Sequence, residues 1–272
     1  DAAMKITAIV DGVSKDQGRA LTSEELKTIK TLFEQEKGRE IFARILNTRR
    51  GSHDNRYSKG GLTALAGVIC LCLDFCKEQL SVGAAKVLLV LSQTFYYIRD
   101  GAEGRGGQSD EKEKKVFLQR LIKPHPIWKD SRFWNQSIHE TFAAELARLP
   151  KAQLTHRWCT DEEQAEALGL QQKMLFGVLA SFQHNMRGFG LDAVTTQSII
   201  NGVCEVYNMD DTQIKTLVSL AELAKSPSSH RASNTNDDDY KAGMILETVR
   251  DPNETPRVSK GAEDGTKDRG TP

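Results

Sequence analysis

No proline interrupts the first 123 residues of this chain. Proline inside a helix removes a hydrogen-bond donor and clashes with the preceding turn, so such a stretch is free to form helix after helix. Its apolar residues recur at helical spacing. Thr22 and Glu25 form a capping box, with Leu21 and Leu26 at the staple positions. Leu26, Ile29, Leu32 and Phe33 then line one face of a helix predicted over 22–36. Gly38 separates it from a second helix faced by Ile41, Phe42, Ile45 and Leu46. A third, over 60–77, is apolar nearly all round and is expected at the centre of the fold. Ser81 caps a fourth that carries Val87, Leu88, Leu91, Phe95 and Ile98.

Beyond a glycine-rich loop from Gly101 to Asp110, residues 111–122 read as a short fifth helix. Pro124 and Pro126 lead into an aromatic corner at Trp128, Phe133 and Trp134, which opens a sixth helix ended by Pro150. A seventh runs from Asp161 to Arg187, with Gly169 as a candidate break. Its stripe includes Met174, Leu175, Val178, Leu179 and Phe182, and Gly188, Phe189 and Gly190 stop it as a glycine C-cap does. Two further helices are expected over 192–207 and 211–225. Sustained two-residue alternation is absent, so no sheet is expected. The fold class is therefore all-α, an irregular multi-helix bundle of about nine helices. Residues 1–21 read as a linker or extension and 22–225 as one helical interaction domain. Residues 226–272 hold four of the seven prolines and few large apolar groups, which predicts a disordered tail. Residues 240–249, with Met244, Ile245, Leu246 and Val249, are a candidate docking segment within it.

Lys plus Arg and Asp plus Glu both number 37, so no charge excess argues for nucleic acid or an anionic membrane. The chain begins at Asp1, which predicts a fragment or processed product without a signal peptide at its start. The most apolar run, Gly61 to Phe75, is short of the ~20 residues a bilayer needs and reads as a buried helix. Five cysteines, three of them in that run, read as buried free thiols, with a reduced, cytoplasmic location implied.

Catalytic signals are weak. The stretch from Gly101 to Gly107 lacks the Gly-Lys-Ser/Thr ending of a phosphate loop and no strand precedes it. His156 and Cys159 offer two metal ligands where zinc needs four. His184 has no evident nucleophile or carboxylate and reads as a structural histidine bonding a carbonyl. Asp161, Glu162 and Glu163 complement a helix dipole. No catalytic residue, cofactor or metal is expected. Arg39, Arg44, Arg49, Arg50 and Arg56 form a loose basic cluster suited to an acidic partner or a phosphoinositide, or simply a solvated helix face. Phe42, Trp128, Phe133, Trp134, Phe182 and Phe189 are the candidate structural or docking anchors, with the Trp128 corner as the docking corner.

Several segments together resemble a known family. They are Lys37 to Arg44, Ala85 to Leu88 running on to Phe95 to Ile98, Pro126 to Trp128 with Arg132 to Asn135, Arg157 to Cys159, and Phe176 to Leu179 with His184 to Met186 and Phe189 to Leu191. They are similar to the helical domain of SET-binding-factor pseudophosphatases of the myotubularin group and of DENN/MADD-type exchange proteins. A small cytoplasmic, brain-enriched protein carrying that domain alone is the nearest likeness. The resemblance covers about residues 22–222 and brings no catalytic residue, and neither a phosphatase loop nor a DENN module is evident. It implies a non-catalytic adaptor in signalling or membrane traffic with a protein partner. The alternative is a regulatory domain of a Rab exchange factor that contacts a Rab GTPase or a phosphoinositide membrane.

Overall fold

The structure is a computed structural model and describes residues 2–15, 19–52, 55–99, 115–149 and 160–223. Their elements are α1 (Ala2–Lys15), α2 (Ser23–Glu34), α3 (Glu36–Ser52), α4 (Lys59–Glu78), α5 (Val82–Ser92), β1 (Tyr96–Ile98), β2 (Lys115–Phe117), α6 (Leu118–Ile122), a 3-10 turn (Pro126–Lys129), α7 (Ser131–Arg148), α8 (Asp161–Gly188), α9 (Ala193–Val206) and α10 (Asp211–Leu223). The fold is all-α, with one small ribbon.

The apolar α4 is central: α1, α2, α5, α6, β1 and the 3-10 turn all pack on it. Leu62, Leu65, Ile69, Leu73 and Cys72 are fully buried there. By length and hydropathy α4 could cross a membrane, but 56% of its apolar window lies inside the fold. A second layer of α7, α8, α9 and α10 packs among itself and meets the first through α5 and α7.

The capping box at Thr22 forms, with the Glu25 N–H donating to Thr22 Oγ1 at 3.2 Å and the Thr22 N–H to Glu25 Oε2 at 2.9 Å. A second box, Thr160 with Glu163, opens α8. α8 runs unbroken through Gly169 for 28 residues. It closes on Gly190 at φ 78°, where the Leu191 N–H reaches Met186 O at 2.9 Å and the Gly190 N–H reaches Arg187 O at 2.9 Å. The same paired closure ends α4 at Leu80 (φ 51°) and α9 at Asn208 (φ 48°).

Three expectations are corrected. Residues 2–15, read as linker, form α1, whose Ile6, Ile9, Val10 and Val13 are buried against α3 and α4. Their i, i+3, i+4, i+7 spacing carried that signal. The fourth helix stops at Ser92 rather than reaching Ile98. Ser92 and Thr94 turn their hydroxyls back to the carbonyls of Leu89 and Leu91, at 2.7 and 2.8 Å, and the aromatic run that follows extends. No sheet was expected, yet β1 and β2 pair antiparallel, Tyr97 opposite Val116. Among the described residues of the expected fifth helix, 115–117 are thus strand and 118–122 helix, and 111–114 lie outside the described residues. The other edge of β1 is held by the Tyr57 N–H on Tyr96 O at 2.8 Å and the Tyr96 N–H on Asn55 O at 3.0 Å. Three residues are too few for two-residue alternation to show.

Candidate interaction surface

The aromatic corner faces inward. His125 to Asp130 form a tight turn that drops Trp128 into the interior, and Trp128 and Trp134 are both fully buried. The Trp128 ring lies 4.6 Å from Phe189, 5.3 Å from Phe133 and 6.1 Å from Trp134. Each indole N–H is satisfied within the corner, Trp128 Nε1 on Ile122 O at 2.9 Å and Trp134 Nε1 on Trp128 O at 3.0 Å. Phe42 is buried in the other layer, tilted on Phe33 at 5.1 Å. All six expected anchors are core residues, so the Trp128 corner is not a docking face as it stands. The aromatic spacing was legible, but which way the corner pointed was not, because buried and exposed indoles read alike in sequence.

The basic patch does not assemble. Arg39 is 1% exposed, and its Nη1 donates to Phe33 O at 2.6 Å. Those carbonyls end α2 and have no intrahelical partner, so the guanidinium serves as their cap. Its Nε is buried without a hydrogen-bond partner. Arg49 pairs with Asp11 across α1 and α3. Arg44, Arg50 and Arg56 are exposed, leaving two of the four patch members from Arg39 to Arg50 on the surface.

One histidine that sequence reasoning passed over is fixed. His125 is buried, with Nε2 on Asp74 Oδ1 at 3.0 Å and Nδ1 accepting the Ile127 N–H at 3.2 Å. Nε2 therefore carries the proton, and with both nitrogens engaged the ring is a clamp on the 3-10 turn. His184 is exposed on α8. The thiols are shaped by burial, which pushes Cys70 up to about 12 and Cys72 well above its usual range. The Cys76 thiol is held lower by its hydrogen bond with Cys72 and by the nearby Arg39. Among the described residues, no three His, Cys, Asp or Glu side chains gather as a metal site would need. His156, Cys159 and Gly101 to Gly107 lie outside the described residues.

Among the described residues, a larger and a smaller groove open on the second layer. The larger, about 720 Å³, runs between α8, α9 and α10 and is walled by Gln183, Arg187, Thr196, Gln197, Asn201 and Glu205. Gln197 Nε2 donates to Asn201 Oδ1 at 2.8 Å, while Gln183 and Thr196 donate to the backbone carbonyls of Leu217 and Asp192 at 3.2 and 2.7 Å. The smaller, about 390 Å³, lies between α7 and α8. Leu149, Met174, Val178 and Phe182 line it together with the polar Thr141, Ser181, Glu145 and Lys173. Leu149 is 44% exposed. Gly177 presents bare helix there: a Cβ at this position would meet no atom within 4 Å. Phe182 touches the Trp134 ring edge-on at 6.3 Å, so one ring layer separates this groove from the aromatic core.

Over 121 residues the chain is 29% identical to the human "Uncharacterized protein KIAA0513", a match covering 40% of this chain and 29% of that protein. No protein-family model matches the chain, and no solved structure matches it at a significant level.

Proposed function

We propose that this chain is a non-catalytic binding module that takes a short apolar segment of a protein partner into the α7–α8 groove. The observation that carries this is the groove's lining: Met174 and Val178 are only partly buried, beside Gly177, where a Cβ would meet no atom within 4 Å. Burying a branched side chain there yields roughly 1.5–3 kcal/mol, so two or three such contacts supply about 3–9 kcal/mol before the cost of association, and a micromolar complex, at about 8 kcal/mol net, draws on rim and backbone contacts as well. The resemblance of several short segments to the SET-binding-factor and DENN/MADD-type helical domain favours a cytoplasmic setting in signalling or membrane traffic. They support a Rab GTPase, or a regulator of one, as the partner class.

The test is affinity purification from cytosol with the wild type and Val178→Asp, alongside Rab proteins loaded with GDP or a GTP analogue. Val178 is only partly buried, so the charge should spoil the groove and spare the fold, which a thermal melt checks. Partners retained on wild type and lost on Val178→Asp support the groove. An identical partner set on both proteins refutes it, and nucleotide-dependent Rab capture would select the exchange-factor role.

A further inference from the structure

We propose that Cys76 is an oxidation site, a thiol kept in its anionic form by the buried guanidinium of Arg39 and converted by hydrogen peroxide to a sulfenic acid. The site lies in the first layer and is independent of the groove.

Hydrogen bonds draw the end of α2, the start of α3, the end of α4 and the start of α5 into one corner. Arg39 Nη1 donates to Phe33 O at 2.6 Å and to Glu34 O at 3.4 Å, and Gln79 Nε2 donates to the same Glu34 O at 3.0 Å. Ser81 Oγ donates to Glu36 Oε1 at 3.3 Å, and the Ser81 N–H donates to Cys76 O at 2.9 Å. Arg39 and Cys76 are enclosed there together, each 1% exposed.

The guanidinium lacks a counter-charge. Its bonds are to carbonyl oxygens, and the acids that flank it on α3 are engaged elsewhere, Glu36 with Ser81 and Glu40 with Lys37 at 3.5 Å. A core tolerates a buried charge when an opposite charge sits beside it. Arg39 Nε is also buried without a hydrogen-bond partner, although the Cys76 sulfur is close by. A neutral thiol is a weak acceptor and leaves that donor unsatisfied. A thiolate supplies both the missing acceptor and the missing charge.

Of the three cysteines on α4, Cys76 alone is held low. Its sulfur takes hydrogen bonds from the Cys72 thiol, from the Ala85 N–H in the first turn of α5 and from Arg39, and these keep it below the usual thiol range. Burial pushes Cys70 up to about 12 and Cys72 well above its usual range. Cys72 thus keeps its proton and donates it in a hydrogen bond to Cys76.

In the reaction the Cys76 thiolate attacks one peroxide oxygen. An S–O bond forms, the O–O bond breaks, and the second oxygen leaves as hydroxide and takes a proton from water. The sulfur gives up two electrons and the peroxide receives them, leaving a sulfenic acid. Cys72 does not trap it. Side chains four apart on an intact helix have Cβ atoms ~5–6 Å apart, and a disulfide needs about 3.5–4.5 Å. Peroxide is little larger than water, so smaller fluctuations of the corner admit it than an alkylating reagent requires.

The test treats the full chain with hydrogen peroxide for graded times, stops the reaction with catalase and unfolds the protein in dimedone, which caps sulfenic acids. One tryptic peptide, residues 60–77, carries Cys70, Cys72 and Cys76, so its fragment spectra compare the three directly. An ordinary thiol is only a few per cent thiolate at pH 7, so Cys76 should be capped at least ~tenfold faster than either neighbour. Its rate should be flat from about pH 6 to 8, where that of an ordinary thiol rises about tenfold per unit. Exposure alone predicts a different order, since Cys70 is partly exposed while Cys72 and Cys76 are buried. Cys70 capped first, equal rates at Cys72 and Cys76, a Cys76 rate that climbs with pH, or a Cys76 that peroxide leaves unmodified each overturns the proposal. Arg39→Gln should slow Cys76 about tenfold and restore the climb with pH. An Arg39→Gln protein that melts as a folded chain yet keeps the wild-type rate and pH profile overturns Arg39 as the counter-charge. If that variant does not fold, the wild-type pH profile decides by itself.

Discussion

Gly38→Ala should destabilise the fold although it exchanges a poor helix former for the best one. Gly38 sits in the first turn of α3, where a Cβ would fall 1.9 Å from Leu32 O and 2.7 Å from Leu32 C. Both are backbone atoms at the end of α2, so no side chain can swing aside. Ordinary contact begins near 3.4 Å, and α2 and α3 must part by more than 1 Å. Two interactions span that gap. The Arg39 bond to Phe33 O, at 2.6 Å, is buried and charge-assisted and contributes roughly 1.5–3 kcal/mol. The Phe33–Phe42 ring pair adds about 0.5–1.5 kcal/mol. Against their loss stands at most ~1 kcal/mol of helix propensity. The net cost is about 2–3 kcal/mol, which for a domain of this size lowers Tm by roughly 5–10 °C. Thermal and urea melts read it directly. Gly67→Ala in α4, where a Cβ meets nothing within 4 Å, is the control and should gain up to ~1 kcal/mol. A Gly38→Ala protein as stable as wild type, or more so, would refute the close-approach argument.

Other substitutions probe separate contacts. Trp128→Phe removes the donor to the buried Ile122 O and should cost about 2–4 kcal/mol in urea midpoints, a repulsion-free change of ring size being the smaller part. Leu80→Gly relieves a left-handed residue at the end of α4 and should gain about 0.5–1 kcal/mol. Glu25 is held down to about 2 by Arg19, below its usual 4.5. Its folded pKa is depressed, so its contribution is full above pH 4.5 and lost as pH falls towards 2. Both side chains are partly exposed, at 36% and 26%, which limits the effect to under ~1 kcal/mol. Arg19→Gln should flatten that acid limb of the stability curve, and an unchanged limb would assign the acid sensitivity elsewhere.

The helices were legible because their signals are local. The Thr22 box, the stripe from Leu26 to Phe33 and the Gly190 stop each follow from residues within a turn of one another. α1 was equally legible in its Ile6, Ile9, Val10 and Val13 spacing, and was passed over because no capping residue announced it. The ribbon was not legible, since β1 owes its extended backbone to Asn55, Tyr57 and Phe117, distant partners that no window around Tyr97 contains. Arg39 failed for a similar reason. A charged residue on a helix reads as solvated until the carbonyls it caps, on another helix, are in view. The candidate site was half visible: Met174, Val178 and Phe182 were assigned to one stripe, but a stripe does not say where its neighbouring helix stops covering it.

The thiols on α4 have a consequence for measuring how this protein moves. Cys72 and Cys76 are sealed at the centre of the first layer, 0% and 1% exposed. An alkylating reagent can reach them only when α4 parts from its neighbours. Their labelling rate under a large excess of reagent therefore clocks the opening of that layer, read cysteine by cysteine in peptide-resolved mass spectra because every alkylated thiol, the partly buried Cys70 included, adds the same mass. Cys204, buried in the second layer on α9, keeps a separate clock. If the two run together, the layers open as one unit. If Cys204 is modified first, the half that carries the groove breathes by itself.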